Sequence, residues 1–327
     1  MSTVPQSSSE VLDRPATDVE CCGGESHCSS DVPGSNPLGA ISGREGCPPP
    51  LQWQQVLDAY RQQSTSWYTQ TSAGQISGRT WGDGPTLLML NGLGGSQELF
   101  ALCAFLLKTN FRCVLLDYPI GRQVSWPRLT DAITDVVREF AGSEGCHMFG
   151  TSFGSALAVE SALRLGSEVR SLTLHSAFAK LPLTVFERGG AGLLRWMPGR
   201  IESLPLWRGL QERAHRLWFP PIDPTRWLFY LDNAGQTPVA ELARRFAMLA
   251  EFDVRSRLQS FETPTMLLHV EGEGETQTRC RNELAALLPK ARTEFLHTTG
   301  MLAFLTHPHR LAKLIREFIV PAEVPVK

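Results

Sequence analysis

The 327-residue chain has no apolar run approaching the ~18 residues that span a bilayer, so no transmembrane segment is expected. Its first residues lack a basic start followed by an apolar stretch of about 7–15 residues, so no secretory leader is expected either. Neither sign of charge is in large excess. The net charge of −2 argues against a nucleic-acid or charged-membrane footprint. Paired C-x-x-C spacing is absent as well: Cys21, Cys22, Cys28 and Cys47 sit near the N-terminus with His27 beside Cys28, a looser arrangement than common zinc sites use. Cys103, Cys113, Cys146 and Cys280 lie singly in apolar patterns and read as small buried thiols. These absences leave no metal or other cofactor expected, and a cytoplasmic, reducing setting as the default.

Residues 1–50 are rich in Ser, Gly, Pro and acids, with seven acids against two arginines. Such a segment buries too little apolar surface to offset its ordering entropy, so a disordered acidic tail is expected there. Residues 51–327 then alternate between β and α patterns. Trp53 to Arg61 reads as a helix, "QISGRTWG" and "TLLMLNG" as strands joined by a Gly-Asp-Gly turn, and "RCVLLDYP" as a buried strand. "GCHMFGTS", "RSLTLHSA", "PTMLLHVEG" and "RTEFLHTTG" are further strands, with helices between them and "PHRLAKLIREFIV" closing the chain. This rhythm predicts a mainly parallel sheet with helices on both faces. Residues 181–250 interrupt it without a convincing strand and contain Trp196, Trp207, Trp218 and Trp227, half of the chain's eight tryptophans. They read as a helical insertion, a cap over the carboxyl edge of the sheet where ligands of open α/β sheets bind.

The chemistry concentrates in "HMFGTSFGSAL". Gly150-Thr151-Ser152-Phe153-Gly154 matches the G-x-S-x-G nucleophile elbow, and it follows a buried strand and opens a helix, the context that motif requires. Together these predict an α/β-hydrolase fold with Ser152 as nucleophile. If the chain start adds one edge strand, the elbow follows the fifth. "LLMLNGLGGSQ" then supplies the oxyanion loop, so the N–H groups of Leu93 and Phe153 are the expected donors, with Gly92, Gly94 and Gly95 freeing the loop. A dinucleotide-binding reading of Gly92 and Gly94 fails because its third glycine would be Gln97.

The acid should follow "PTMLLHV", where Glu271, Glu273 and Glu275 lie on a glycine-rich stretch. Glu273 is nearest the expected offset and Glu271 second, although a solvated acidic turn would read the same way. The histidine should follow the last strand, where "LHTTGMLAFL" places Met301 instead. A thioether accepts no proton. Of the remaining histidines, His175 and His269 end strands at the carboxyl edge and are the better substitutes by location. His297 lies roughly 13 Å back along its strand. His307 and His309 flank the final helix, His147 reads as core and His215 as cap surface.

The stretches "LLDYPI" (115–120), "HMFGTSFGSALA" (147–158), "SLTLHSAF" (171–178), "RWMP" (195–198) and "LHTTGMLAFL" (296–305) resemble the maspardin branch of the α/β-hydrolase superfamily. The resemblance spans about residues 80 to 320. It implies the fold, an elbow serine, no evident triad histidine and a role in protein interaction. The acidic Cys-bearing tail and the Glu-rich loop at 271–275 depart from it. Two functions follow. The missing base favours a weakly active or non-catalytic binding or adaptor protein, taking a protein partner or a small acyl ligand under the cap. The alternative is a serine hydrolase of carboxylic esters or thioesters that uses Ser152 and a relocated histidine.

Overall fold

A computed structural model of the protein describes residues 52–323; the N-terminal tail and its cysteines lie outside the described residues. In chain order the elements are α1 (Trp53–Gln63), β1 (Thr65–Thr71), β2 (Gly74–Trp81), β3 (Thr86–Leu90), α2 (Ala101–Leu107), β4 (Arg112–Asp117), α3 (Trp126–Ala141), β5 (Cys146–Thr151), α4 (Phe153–Leu165) and β6 (Val169–His175). Four helices follow before the sheet resumes: α5 (Val185–Leu194), α6 (Trp207–His215), α7 (Thr225–Gly235) and α8 (Val239–Glu251). The chain ends with β7 (Thr265–Gly272), α9 (Gly274–Leu287), β8 (Arg292–Gly300), α10 (Ala303–Thr306) and α11 (Pro308–Glu323).

All eight strands form one sheet in the order β1-β2-β4-β3-β5-β6-β7-β8. β1 and β2 are antiparallel additions at one edge, and β4 through β8 with β3 are parallel. β1 is the extra edge strand that puts the elbow after the fifth strand. The Gly-Asp-Gly turn does join two strands, but they are not neighbours, because β4 lies between β2 and β3.

The central parallel strands β3 and β5 are buried along their whole length, which is why they read as continuous apolar runs, whereas the parallel edge strand β8 is largely exposed. Alternation along each strand divides them between two cores. Leu88, Leu90, Val114, Leu116 and Met148 pack with α3 and α4, whereas Leu87, Met89, Cys113, Leu115 and Phe149 pack with α2 and α11. At the centre the order reverses: β3 is flanked by β4 on one side and β5 on the other. Chains leaving β3 and β5 at their carboxyl ends diverge to opposite sides, and a crevice opens there. Among the described residues no helix is long and apolar enough to cross a membrane, and no cluster of three or more His, Cys, Asp or Glu could hold a metal.

Candidate active site

Ser152 sits between β5 and α4 with φ 51° and ψ −111°. A non-glycine residue in that region carries about 1–3 kcal/mol of strain and persists only where its surroundings impose it. They do so here. The Ser152 N–H donates to the His175 carbonyl at 2.9 Å, and the Ser152 carbonyl accepts from the N–H and the hydroxyl of Ser155, at 2.9 and 2.6 Å. The flanking glycines are required by close approach. A Cβ on Gly150 would fall 2.5 Å from the Gly154 carbonyl oxygen, and one on Gly154 would fall 2.2 Å from that of Leu90.

The loop after β3 crosses beside this turn: a Cβ on Gly92 would lie 4.0 Å from that of Ser152. Side chains from two sources pin the loop. Tyr118 donates its hydroxyl to the Asn91 carbonyl at 2.8 Å, and the Arg245 guanidinium donates to the Leu93 carbonyl at the same distance. The N–H groups of Gly95, Ser96 and Gln97 donate to Thr237, Asn233 and Asp117, at 2.9, 2.7 and 2.7 Å. The N–H groups of Gly92, Leu93, Gly94 and Phe153 have no acceptor among the described residues, and the expected donors Leu93 and Phe153 are two of these four. Arg245 was missed, since nothing in the sequence distinguishes it from the adjacent Arg244. It is buried, its guanidinium lies 5.1 Å from the centre of the Tyr118 ring, and burial lowers its proton affinity.

Ser152 opens into a cavity of about 260 Å³ whose walls include Leu93, Leu99, Trp207, Tyr230, Met301 and Phe304. The helical insertion supplies much of its roof through Ile201, Trp207, His215, Tyr230 and Leu242. Met301 therefore shares the cavity with Ser152. Its position follows from sheet register. Gly272 of β7 pairs with Gly300 of β8, so Glu273 and Met301 leave the sheet as the next residues on adjacent strands. The Trp218 ring lies across both glycines: a Cβ on Gly272 would fall 2.3 Å from it and one on Gly300 2.4 Å.

The acidic stretch is shorter than the sequence suggested, because β7 runs to Gly272 and α9 begins at Gly274. Glu271 is exposed and accepts from the Thr298 N–H at 2.9 Å, and exposed Glu275 pairs with Arg279. Glu273 alone is buried. Burial raises its carboxyl above the usual range, while Arg281 pulls it back. The Arg281 guanidinium is 2.7 Å from Oε1 but is not aligned as a hydrogen bond, and the Val270 backbone and the Thr278 side chain also draw the carboxyl back down.

The histidines at the carboxyl edge are not hydrogen-bonded to the Ser152 hydroxyl. His175 is fully buried, its Nδ1 is 2.9 Å from the Thr151 hydroxyl, and its Nε2 has no partner. His297 and His309 are exposed, and His307 engages Thr306 at 3.0 Å. His147 is a core residue 2.8 Å from the Ser171 hydroxyl. His215 corrects the expectation of a cap-surface residue. It lines the cavity with Ser152, packs against Tyr230 at 5.9 Å between ring centres, and leaves Nδ1 buried and unpartnered. Burial lowers its proton affinity. Trp207, Gln211 and His215 recur at i, i+4 and i+8 on α6, all three lining the cavity, but that spacing marks only a shared helix face and not what the face covers.

Two of these histidines predict acid lability. His175 and His269 are lowered to about 4, first by burial and then by the charge of His269 and of Arg281 respectively. Between pH 6.5 and 4 the unfolded chain takes up protons at these sites that the folded protein refuses, so stability falls with pH across that window. Thermal unfolding followed by circular dichroism should show the midpoint dropping over this range. The drop should be shallower in a His269→Gln variant, and an unchanged slope would count against these two groups.

Comparison with known proteins agrees with this arrangement. A protein of Agrobacterium fabrum named for carbamate hydrolysis, RutD, is 24% identical over 267 residues, covering 76% of this chain and 98% of the relative. The pimeloyl-acyl-carrier-protein methyl ester esterase of Aeromonas salmonicida is 24% identical, covering 75% of this chain and 99% of the relative. A thermophilic esterase from Thermogutta terrifontis superposes with a TM-score of 0.69 at 16% identity, over 80% of this chain and all of that one, a likeness of fold. The sequence model of the alpha/beta hydrolase family matches residues 87–314, from the strand that feeds the oxyanion loop to the final helix. That match covers more than half of the chain, from β3 through the elbow to α11, and the chain belongs to the α/β-hydrolase family.

Proposed function

We propose that the cavity over Ser152 binds a small acyl ligand, an ester, thioester or carbamate, and that the protein acts chiefly as a binding protein whose own turnover of such ligands is slow. The observation that carries this reading is Met301 in the cavity wall, where the chain order serine, acid, histidine puts the general base. In this reading Ser152 is a poised but weak nucleophile, the Leu93 and Phe153 N–H groups cradle the ligand's carbonyl oxygen, and Glu273 is an acid with no imidazole to orient. Loss of a triad base alone removes about 10⁴–10⁶ in turnover, leaving what binding and the oxyanion donors provide. The names of the relatives, one for carbamates and one for methyl esters, support this ligand class. The maspardin-like resemblance adds a protein partner, for which the exposed Phe186, Leu206, Leu217 and Ile222 of the insertion offer apolar surface. A cytoplasmic setting belongs to the same reading and fits the free thiols of Cys103, Cys113, Cys146 and Cys280.

His215 favours a second reading, a serine hydrolase with a relocated base, because it shares the cavity with Ser152 and has a free ring nitrogen. A fluorophosphonate probe separates the two. The binding protein should label slowly and to the same extent in wild type and His215→Ala. Rapid labelling lost in both Ser152→Ala and His215→Ala would instead establish the hydrolase.

A further inference from the structure

Beyond the Ser152 cavity, α8 borders a second cleft of about 320 Å³ that the acyl-ligand reading does not use. Three arginines from separate segments converge on it: Arg122 from the loop after β4, Arg195 from the end of α5, and Arg244 from α8. Arg122 and Arg195 lie against the same indole, with guanidinium carbons 4.7 and 5.4 Å from the Trp196 ring centre, and neither has a carboxylate partner among the described residues. Arg244 does pair with Glu241, but the same Glu241 oxygen also accepts the Gly121 N–H at 3.2 Å. Glu251 is the one acidic side chain in the lining. The guanidinium of Arg244 loses proton affinity first through burial and then through repulsion from Arg122 and Arg195, so the three charges are close enough to oppose each other.

Gathering like charges costs free energy that a bound anion returns. Guanidinium forks match phosphate oxygens two at a time, which lysine cannot do. The floor of the cleft adds to this. α3, sixteen residues long, begins at Trp126, and Ser125 and Trp126 both line the cleft, so the positive end of this helix borders the opening, although Pro127 has no N–H to offer. The remaining walls are apolar and aromatic: Val124, Trp126, Ala247 and Met248. Trp126 also packs edge-on against Phe153, 6.0 Å between ring centres, which places the cleft one side chain from the residue after the elbow serine.

We propose that this cleft is a binding site for a small phosphorylated organic molecule, its phosphate held by Arg122, Arg195 and Arg244 and its organic part laid against Trp126 and Trp196. With Glu251 in the lining and Glu241 paired to Arg244, the three guanidiniums leave one net positive charge to meet a phosphate, and the indoles give a flat group a surface to cover.

Titration calorimetry on the full chain with AMP, inorganic phosphate and adenosine tests it, with sedimentation of phosphatidic acid vesicles as a further arm. AMP should bind with a dissociation constant below about 1 mM, phosphate should compete for the same site, and adenosine should not bind. The Arg122→Gln/Arg195→Gln variant should lose about tenfold or more in AMP affinity, whereas Ser152→Ala should retain it. Both arginines are exposed, so the melting temperature should be kept; a single Arg195→Gln variant carries the same test if the double variant does not fold. Absence of AMP binding, equal binding of adenosine, affinity untouched by the arginine changes, or capture by vesicles alone would each overturn the proposal.

Discussion

A Met301→His variant should hydrolyse a p-nitrophenyl acyl ester about 10²–10⁴-fold faster than the parent, the range that a positioned general base contributes. The parts around it motivate the size. Ser152 already holds the elbow geometry, and the Leu93 and Phe153 N–H groups have no acceptor among the described residues. Residues 273 and 301 leave the sheet side by side, because Gly272 and Gly300 are register partners. An imidazole at 301 would therefore leave the sheet beside Glu273, whose carboxylate is buried. Arg281 competes for that carboxylate at 2.7 Å, so adding Arg281→Gln should raise the rate further by freeing Glu273 to orient the ring. Steady-state kinetics with Ser152→Ala as control decides it. No gain in a folded Met301→His variant would mean that the acid or the oxyanion donors are not assembled, and that the family's catalytic centre has been lost in more than one part.

The largest effect on stability should come from Gly154→Ala. The added Cβ would meet the carbonyl oxygens of Leu90 and Asn91 at 2.2 and 2.5 Å, and those are backbone atoms of a fully buried strand and of the oxyanion loop. A flexible side chain could swing aside; a central strand cannot. Overpacking of this kind costs about 1–3 kcal/mol and more where the obstacle is backbone, so a loss of about 3 kcal/mol or more is expected. Urea denaturation should show a lower midpoint at unchanged slope. A substitution at Gly192, whose Cβ position is open, should leave the midpoint nearly unaltered and serves as the control. A Gly154→Ala protein as stable as the parent would show that α4 can slide away from β3, contrary to the close approach seen here.

Much of the site was legible because its chemistry is local. The turn that strains Ser152 lies within five residues, and glycines on both sides are the mark of a helix and strand in near contact. The oxyanion loop was visible for the same reason, as a glycine-rich segment leaving an apolar strand. The lack of a histidine directly after the last strand was equally plain, since Met301 stands at a countable offset. Glu273 could be favoured by offset only; what sets it apart from Glu271 and Glu275 is burial, and burial depends on how β7 and α9 meet. His215, Arg245 and Trp218 were out of reach for a stronger reason. Each comes from the insertion, and each acts on a loop or strand end distant in the chain: Arg245 on Leu93, Trp218 on Gly272 and Gly300, His215 on the cavity over Ser152. The arginine cleft is the same case, built from segments around 122, 195 and 244 that carry no common motif.

The sequence alone therefore determined the alternating architecture, the elbow with the glycine-rich loop beside it, and the absence of a histidine directly after the last strand. Those depend on apolar periodicity, on glycine at close-packed turns and on residue identity at short range, all written along the chain. Only the tertiary structure decided which carboxylate is buried, which histidine enters the cavity and where unpaired guanidiniums gather. Burial, register and charge proximity arise when segments a hundred residues apart are brought into contact, and local pattern holds no record of that meeting.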